Sequence, residues 1–243
     1  MFVLGLRFTS AQKDTVHYMH SFVSVNAGYG INLRPASNTK YAYPFWGENT
    51  PEFSLSGLLA LKSTYFGIPF VAGYLSPKFN ISQYLGFYGD SSNYPYQASG
   101  VNIYHVYYFM TGLNIKLPQR TTPFAIELRI MFGPVFLNQS DINYSYSTYP
   151  PANTISETIY RANTAALGFG PGIGLGYILS NHWALMANAD MLIAEFEYHT
   201  TMSAIDNNSV SNQVIYMRSV LFYGNLTGSL VYTFGKMTPN IAY

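Results

Sequence analysis

Glu197, His199 and Ser203 place an acid, a base and a nucleophile in one short stretch of this chain. A hydrolase can use such a set, because the acid orients the imidazole and the imidazole takes the hydroxyl proton. Geometry defines a triad, however, and all three residues fall on one polar stretch, His199–Asn212 and its approach, that reads equally well as a solvated loop. We expect no enzyme and no catalytic residues. His17 and His20 could share a metal, but no further ligands accompany them, and His105 and His182 stand apart. There is no cysteine, so disulfides, zinc thiolates, thiol catalysis and an N-terminal cysteine lipid anchor are all excluded. Neither a metal nor a cofactor is expected.

A second set of ionisable residues is more informative. Lys62, Lys116, Glu127, Arg129 and Asp190 all fall on the polar parity of segments whose other parity is apolar. Side chains on a strand point alternately to opposite faces. The five would therefore share one enclosed polar face, where buried charges must pair or hydrogen-bond. Two uses follow. They form a structural polar plug, or they line a constriction that sets the selectivity of a narrow pore.

The elements that must hold them are strands. Between Ala165 and Ala194, Leu167, Phe169, Pro171, Ile173, Leu175, Tyr177 and Leu179 share one parity, and five glycines from Gly168 to Gly176 hold the other. Trp183, Leu185, Ala187, Ala189, Met191 and Ile193 repeat the pattern after Ser180-Asn181-His182. This is a β-hairpin with a tight turn. A spanning helix is the competing reading, through the GxxxG of Gly168 and Gly172. It fails because the apolar run is shorter than the ~20 residues needed and the stretch is rich in glycine. The glycine column would make room for Arg129 or a lysine opposite, so Gly174→Leu should disturb folding.

Similar alternation marks Met19–Leu33, Phe53–Tyr65, Val101–Leu117, Phe124–Leu137 and Gln213–Phe234, with a further strand at Phe70–Phe79 of unassigned parity. That makes about eight strands. Phe66–Pro69, Pro118–Pro123 and Ser180–His182 read as short turns. Arg34–Thr50, Asn80–Gly100, Asn138–Thr164 and His199–Asn212 read as long loops. Alternating short turns and long loops are the pattern of an up-and-down antiparallel transmembrane β-barrel, with both chain ends on the short-turn side. Pro171, Pro134 and Pro77 each lack a ladder donor, and bulges near the rim are the expected accommodation.

Composition agrees. Charged residues make up 9% of the 243 residues, against about 25% in soluble domains. With 23 Tyr and 17 Phe, aromatics are abundant enough to build interfacial girdles. Tyr65, Phe66, Phe124, Tyr177, Trp183 and Phe234, with Phe70 nearby, fall where a periplasmic girdle would sit. The net charge of +1 argues against a nucleic-acid partner. A soluble lipocalin-like carrier would put the apolar parity inside, around an apolar ligand, and would need a more charged exterior.

Residues 1–12, MFVLGLRFTSAQ, read as a truncated signal peptide cut after Ala11 or Gln12, leaving a barrel at 13–236 and a short tail at 237–243. The last strand, Leu226 to Phe234, ends in Tyr232-Thr233-Phe234 and resembles the C-terminal signal that outer-membrane barrels present to the barrel assembly machinery. The layout is similar to the small outer-membrane β-barrels of OmpA, OmpX and OmpW type. The Tyr- and Asn-rich style is most similar to the outer-membrane β-barrel family of Bacteroidota that includes PorT-like proteins. The chain departs from that signal in continuing through Gly235–Tyr243, and in carrying Ser229 where a glycine is expected. The resemblance implies outer-membrane lipid and the assembly machinery as partners, in a Gram-negative bacterium. Loops rich in Tyr, Ser, Gly and Asn, such as YGDSSNYPY and YSYSTYPP, suit recognition of an extracellular ligand or protein. They would equally serve to cap the outer girdle. A narrow porin-like channel and an outer-membrane lipid-modifying hydrolase are the alternative functions.

Overall fold

The computed structural model describes residues 20–33, 43–44, 47–61, 65–80, 96–99, 102–117, 124–148, 153–206 and 209–234. The strands are β1 (Phe22–Asn32), β2 (Tyr43–Pro44), β3 (Thr50–Ala60), β4 (Phe66–Leu75), β5 (Tyr96–Ser99) and β6 (Tyr104–Leu117). They continue as β7 (Phe124–Gln139), β8 (Ile142–Thr148), β9 (Asn153–Ile159), β10 (Ala162–Ile178), β11 (Trp183–Asp206) and β12 (Ser209–Thr233). No helix occurs among the described residues.

Eight of these strands, β1, β3, β4, β6, β7, β10, β11 and β12, pair in that order as antiparallel neighbours. The ring closes because β1 returns to β12, from Phe22↔Thr233 to Asn32↔Tyr223. Closure removes the free edges that lipid would leave unsatisfied. The period-two pattern decides which way each strand faces. On β1, Val23, Val25 and Tyr29 are exposed while Ser24 and Asn26 are buried. The same split holds on β7, where Ile130 and Phe132 face out and Glu127, Arg129 and Met131 face in. An apolar exterior around a polar interior is the reverse of a soluble barrel.

One end of the barrel is tight. Leu179 and Ser180 donate from their amides to the Trp183 carbonyl, at 2.9 and 3.1 Å, closing the hairpin. The amide of Phe234 donates to Ser21 at 3.0 Å, so both ends of the barrel strand set meet there. The other end projects, and here the sequence reading needs correcting. The long loops are partly folded. β11 and β12 continue the ladder to Asp206↔Ser209, through what reads as the loop His199–Asn212. β8 and β9 form a hairpin inside Asn138–Thr164, and β5 within Asn80–Gly100 pairs with β8. β9 in turn pairs with the upper part of β11, Met202↔Ile159 onward. Tyr, Thr and Ser alternate in these stretches, and such residues suit a pleated surface as well as a loop.

The third barrel strand also shifts. It is β4, beginning at Phe66, so Phe66–Pro69 belongs to a strand rather than a turn, and the Leu61 amide donates to the Phe66 carbonyl at 3.2 Å. The prolines need no bulge. Across Pro171 the β10–β11 pairing lapses between Phe169↔Ile193 and Gly172↔Asp190 and resumes in the same register. Across Pro134 the β6–β7 pairing does likewise, between Tyr108↔Val135 and Thr111↔Phe132. One missing N–H interrupts one side of a ladder, and the opposite side of each strand stays paired. Pro77 lies past the end of β4, and its carbonyl accepts from the Tyr104 amide at 2.9 Å. The proposed signal peptide at 1–12, the tail at 237–243 and most of the loops Arg34–Thr50 and Asn80–Gly100 lie outside the described residues.

Candidate functional site: the barrel interior and its projecting rim

The interior is stacked in three levels. At the tight end, a cavity of about 40 Å³ is lined by His20, Phe22, Lys116, Ala125, Glu127 and Met186 among others. Register sets Lys116 opposite Glu127. No ion pair joins them. Glu127 instead accepts from Asn114 Nδ2 at 2.8 Å.

The middle level is a connected polar network. Arg129 on β7 reaches Asp190 on β11 through two bonds, Nε to Oδ1 at 2.8 Å and an Nη to Oδ2 at 3.0 Å. The same Nη donates to Asn188 Oδ1 at 2.7 Å. Asn188 passes the chain to β12, donating to Ser229 at 2.6 Å and Thr227 at 3.3 Å. Across the lumen, Asn26 donates to Ser54 at 2.9 Å and Ser56 at 3.1 Å. A bidentate guanidinium–carboxylate pair fixes both side chains in direction as well as distance. The glycine column of β10 is what admits it. A Cβ at Gly172 would overlap Asp190 Oδ1 and sit 3.3 Å from Arg129 Nε, and one at Gly174 would sit 3.0 Å from Asn188 Oδ1.

Glu52 on β3 belongs to this level too, and the sequence reading missed it. Its carboxylate bonds the Tyr108 hydroxyl, and its other oxygen has no partner. The signal was present: Glu52 shares the inward parity of Ser54, but the strand begins at Thr50 rather than at Phe53.

The upper level is apolar, which corrects the expectation of a polar lumen throughout. Leu75, Val106, Val135, Leu137, Leu192, Phe196, Leu221 and Tyr223 are buried there, joined by Ile142, Tyr144 and Ile159 of the β8–β9 hairpin. In β7 the inward parity turns apolar at Met131, Val135 and Leu137, while Phe132 and Phe136 stay exposed on the other face. Tyr223 donates its hydroxyl to the Glu48 carbonyl at 2.8 Å and Tyr198 donates to Gln139 at 2.9 Å. Burial raises the Tyr198 hydroxyl to about 12, with a hydrogen bond to Ser219 acting in the opposite direction.

Of the five ionisable residues singled out from the sequence, Arg129 and Asp190 are brought together and Glu127 is buried with Asn114. Lys116 lines the lower cavity, and Lys62 lies outside the described residues. Tyr65, Phe66, Phe124, Tyr177, Trp183 and Phe234 are all exposed at the tight end. Phe124 and Tyr177 rings lie 5.2 Å apart, and Trp183 meets Tyr232 at 5.1 Å.

Outward residues of β11 run Trp183, Leu185, Ala187, Ala189, Met191 and Ile193, then switch to Glu195, Glu197 and His199. On β12 the outward parity runs from Leu226 and Phe222 through Val220 to Arg218, which stands opposite Glu197, and Tyr216, Val214 and Val210 are exposed beyond it. Arg218 pairs with both Glu195 and Glu197. The apolar belt therefore has a defined upper edge, and Tyr198 lies beyond it. Glu197, His199 and Ser203 form no constellation. Glu197 is held by Arg218, His199 packs 5.1 Å from the Tyr216 ring, and Ser203 is buried. His105 meets the Tyr74 hydroxyl at 2.7 Å and His182 meets the Thr233 carbonyl at 3.2 Å. Among the described residues no three His, Cys, Asp or Glu side chains converge on a metal position, and His17 lies outside them.

No protein-family model matches the sequence, and no curated protein matches it. Among solved structures the chain is similar to a major outer membrane protein from Thermus thermophilus, at 13% identity and a TM-score of 0.45, covering 89% of this chain and 100% of that one. It is similar to Ail, the attachment invasion locus protein of Yersinia pestis, at 11% identity and 0.41, covering 88% and 99%. It is similar also to Neisserial surface protein A, at 12% identity and 0.41, covering 88% and 97%.

Proposed function

We propose that this chain is an integral outer-membrane protein of a Gram-negative bacterium. Its barrel anchors a folded extracellular β-extension, and its lumen does not conduct. The observation that carries this reading is the vertical order of one strand pair. β11 and β12 are 24 and 25 residues long, whereas about 9–11 tilted residues cross the hydrocarbon. On β11 the apolar outward parity ends at Ile193, and past the charged cluster of Glu195, Glu197 and Arg218 the two strands continue as a paired ribbon to Asp206↔Ser209. Length past the belt serves nothing in anchoring, so the extension is the part that meets partners.

Packing supports a closed lumen. The apolar upper level and the Arg129–Asp190 network occupy the interior, and two cavities there, of about 20 and 40 Å³, have room for a water or two. Catalysis has no support in the arrangement of Glu197, His199 and Ser203. The role is structural or recognitive, with lipid and the barrel assembly machinery as general partners and an extracellular ligand or protein as the specific one. A planar-bilayer recording of the folded protein tests the lumen. No unitary conductance steps are expected, and regular steps would favour a narrow pore instead.

A further inference from the structure

The middle level contains a cavity of about 20 Å³ lined by Asn26, Glu52, Ser54, Arg129, Asp190, Asn225 and Thr227 among others. Its chemistry is unbalanced in two ways. Glu52 Oε2 and Asn225 Oδ1 are both sealed from water and both lack a hydrogen-bond partner. Glu52 and Asn225 are only 2% and 3% exposed. Both orphan atoms are acceptors when Glu52 is ionised. The charge is unbalanced as well. With Glu52 ionised, Glu52 and Asp190 carry two negative charges against one positive on Arg129, leaving −1 around the cavity. Arg129 is committed to Asp190 by its bidentate pair, and the ionisable group bonded to Glu52 is the Tyr108 phenol, which brings no positive charge.

The ladder sets the level. Gly28 of β1 stands between Glu52 on β3 and Thr227 on β12 in the ladder. Gly30 stands likewise between Thr50 and Asn225, and a Cβ there would lie 3.2 Å from Asn225 Oδ1. A Cβ at Gly28 would overlap the Leu226 carbonyl oxygen, so the two glycines let β1 pass close to β12 and bring Glu52 and Asn225 to one level.

We propose that this cavity binds one dehydrated monovalent cation of sodium size, held by Glu52, Asn225 and the adjoining hydroxyl and carboxylate oxygens. Hard cations take oxygen ligands. One positive charge brings the cavity to neutrality, whereas a divalent ion would overshoot it. A water molecule would satisfy the two acceptors but leave the buried charge in place.

The full chain is refolded into detergent micelles at slightly alkaline pH, in NaCl or in N-methylglucamine chloride of equal ionic strength. The temperature at which the compact gel band converts to the unfolded band is then read. A saturable rise of ~5–10 °C in Na⁺ over N-methylglucamine is expected, the size that mass action gives for a ligand well above its dissociation constant. Glu52→Gln removes the net charge and abolishes the rise. Asn225→Ala, which keeps the charge, reduces it. Equal midpoints in the two salts overturn the proposal. With a midpoint that climbs as pH falls in wild type but not in Glu52→Gln, that result would place a proton on Glu52 instead. A Na⁺ effect undiminished in both variants overturns it too.

Discussion

At the residue scale the barrel interior turns on one guanidinium and the glycines beside it. Arg129 satisfies Asp190 and Asn188 together, so removing it strands a buried carboxylate. Arg129→Ala should destabilise the fold by about 3–5 kcal/mol, as breaking one side of a buried pair does, read as the shift in urea midpoint of the folded gel band. The glycines on β10 are not equivalent. A methyl at Gly172 collides with the paired Asp190 carboxylate, whereas one at Gly176 meets nothing nearer than Ala125 Cβ at 3.6 Å. Gly172→Ala should therefore cost about 1–3 kcal/mol, and Gly176→Ala should change the same midpoint little. Equal effects at the two positions would mean that glycine acts there through the backbone and not through space. This column, and Arg129 with Asp190, were legible in the sequence because parity alone puts them on one face. Glu52 was not, since the start of β3 lies in a stretch that Pro51 makes look like loop.

At the element scale, burial no longer separates critical from tolerant positions, because the outside of the belt is exposed by design. Leu226 is 54% exposed and Val214 is 68% exposed, both on β12. Leu226 lies among the apolar residues of the belt, and Val214 lies beyond Arg218. Leu226→Arg should cost about 2–4 kcal/mol, the penalty of a charge near the hydrocarbon midplane, and Val214→Arg about 0–1. Refolding yields into lipid vesicles would show the contrast. Similar losses at both sites would contradict the belt edge drawn at Glu195 and Arg218. Strand positions in the lower barrel followed from alternation of apolar with polar residues. The upper strands were hidden because Tyr, Ser and Thr alternate there without that contrast, so that β8 and β9 resemble a recognition loop until their pairing is seen. The prolines misled in the other direction. Each removes one donor from one side of a ladder, which a closed sheet absorbs without inserting a residue.

At the scale of the whole molecule the fold divides its labour vertically. The tight end carries exposed aromatics and the Leu179–Trp183 turn, the middle carries the lipid belt outside and the polar network inside, and the projecting end carries an apolar core and the ribbon. An up-and-down barrel of about eight strands was readable from loop lengths and composition together. The apolar upper core was not, because it is assembled from strands far apart in sequence, with Leu75, Phe196 and Tyr223 in one buried cluster with Ile142, Tyr144 and Ile159 of β8–β9. That core also predicts how the ends differ: trimming the ribbon tip beyond Glu197 and Arg218 should leave the ring of eight strands paired, with the compact band retained. The most direct measurement is gel migration of boiled against unboiled membrane fractions. A detergent-requiring protein in the outer-membrane fraction, whose unboiled form migrates differently from the boiled form, is the result the belt and the closed ring predict. A protein that stays in solution without detergent and migrates identically whether or not it is boiled would contradict them.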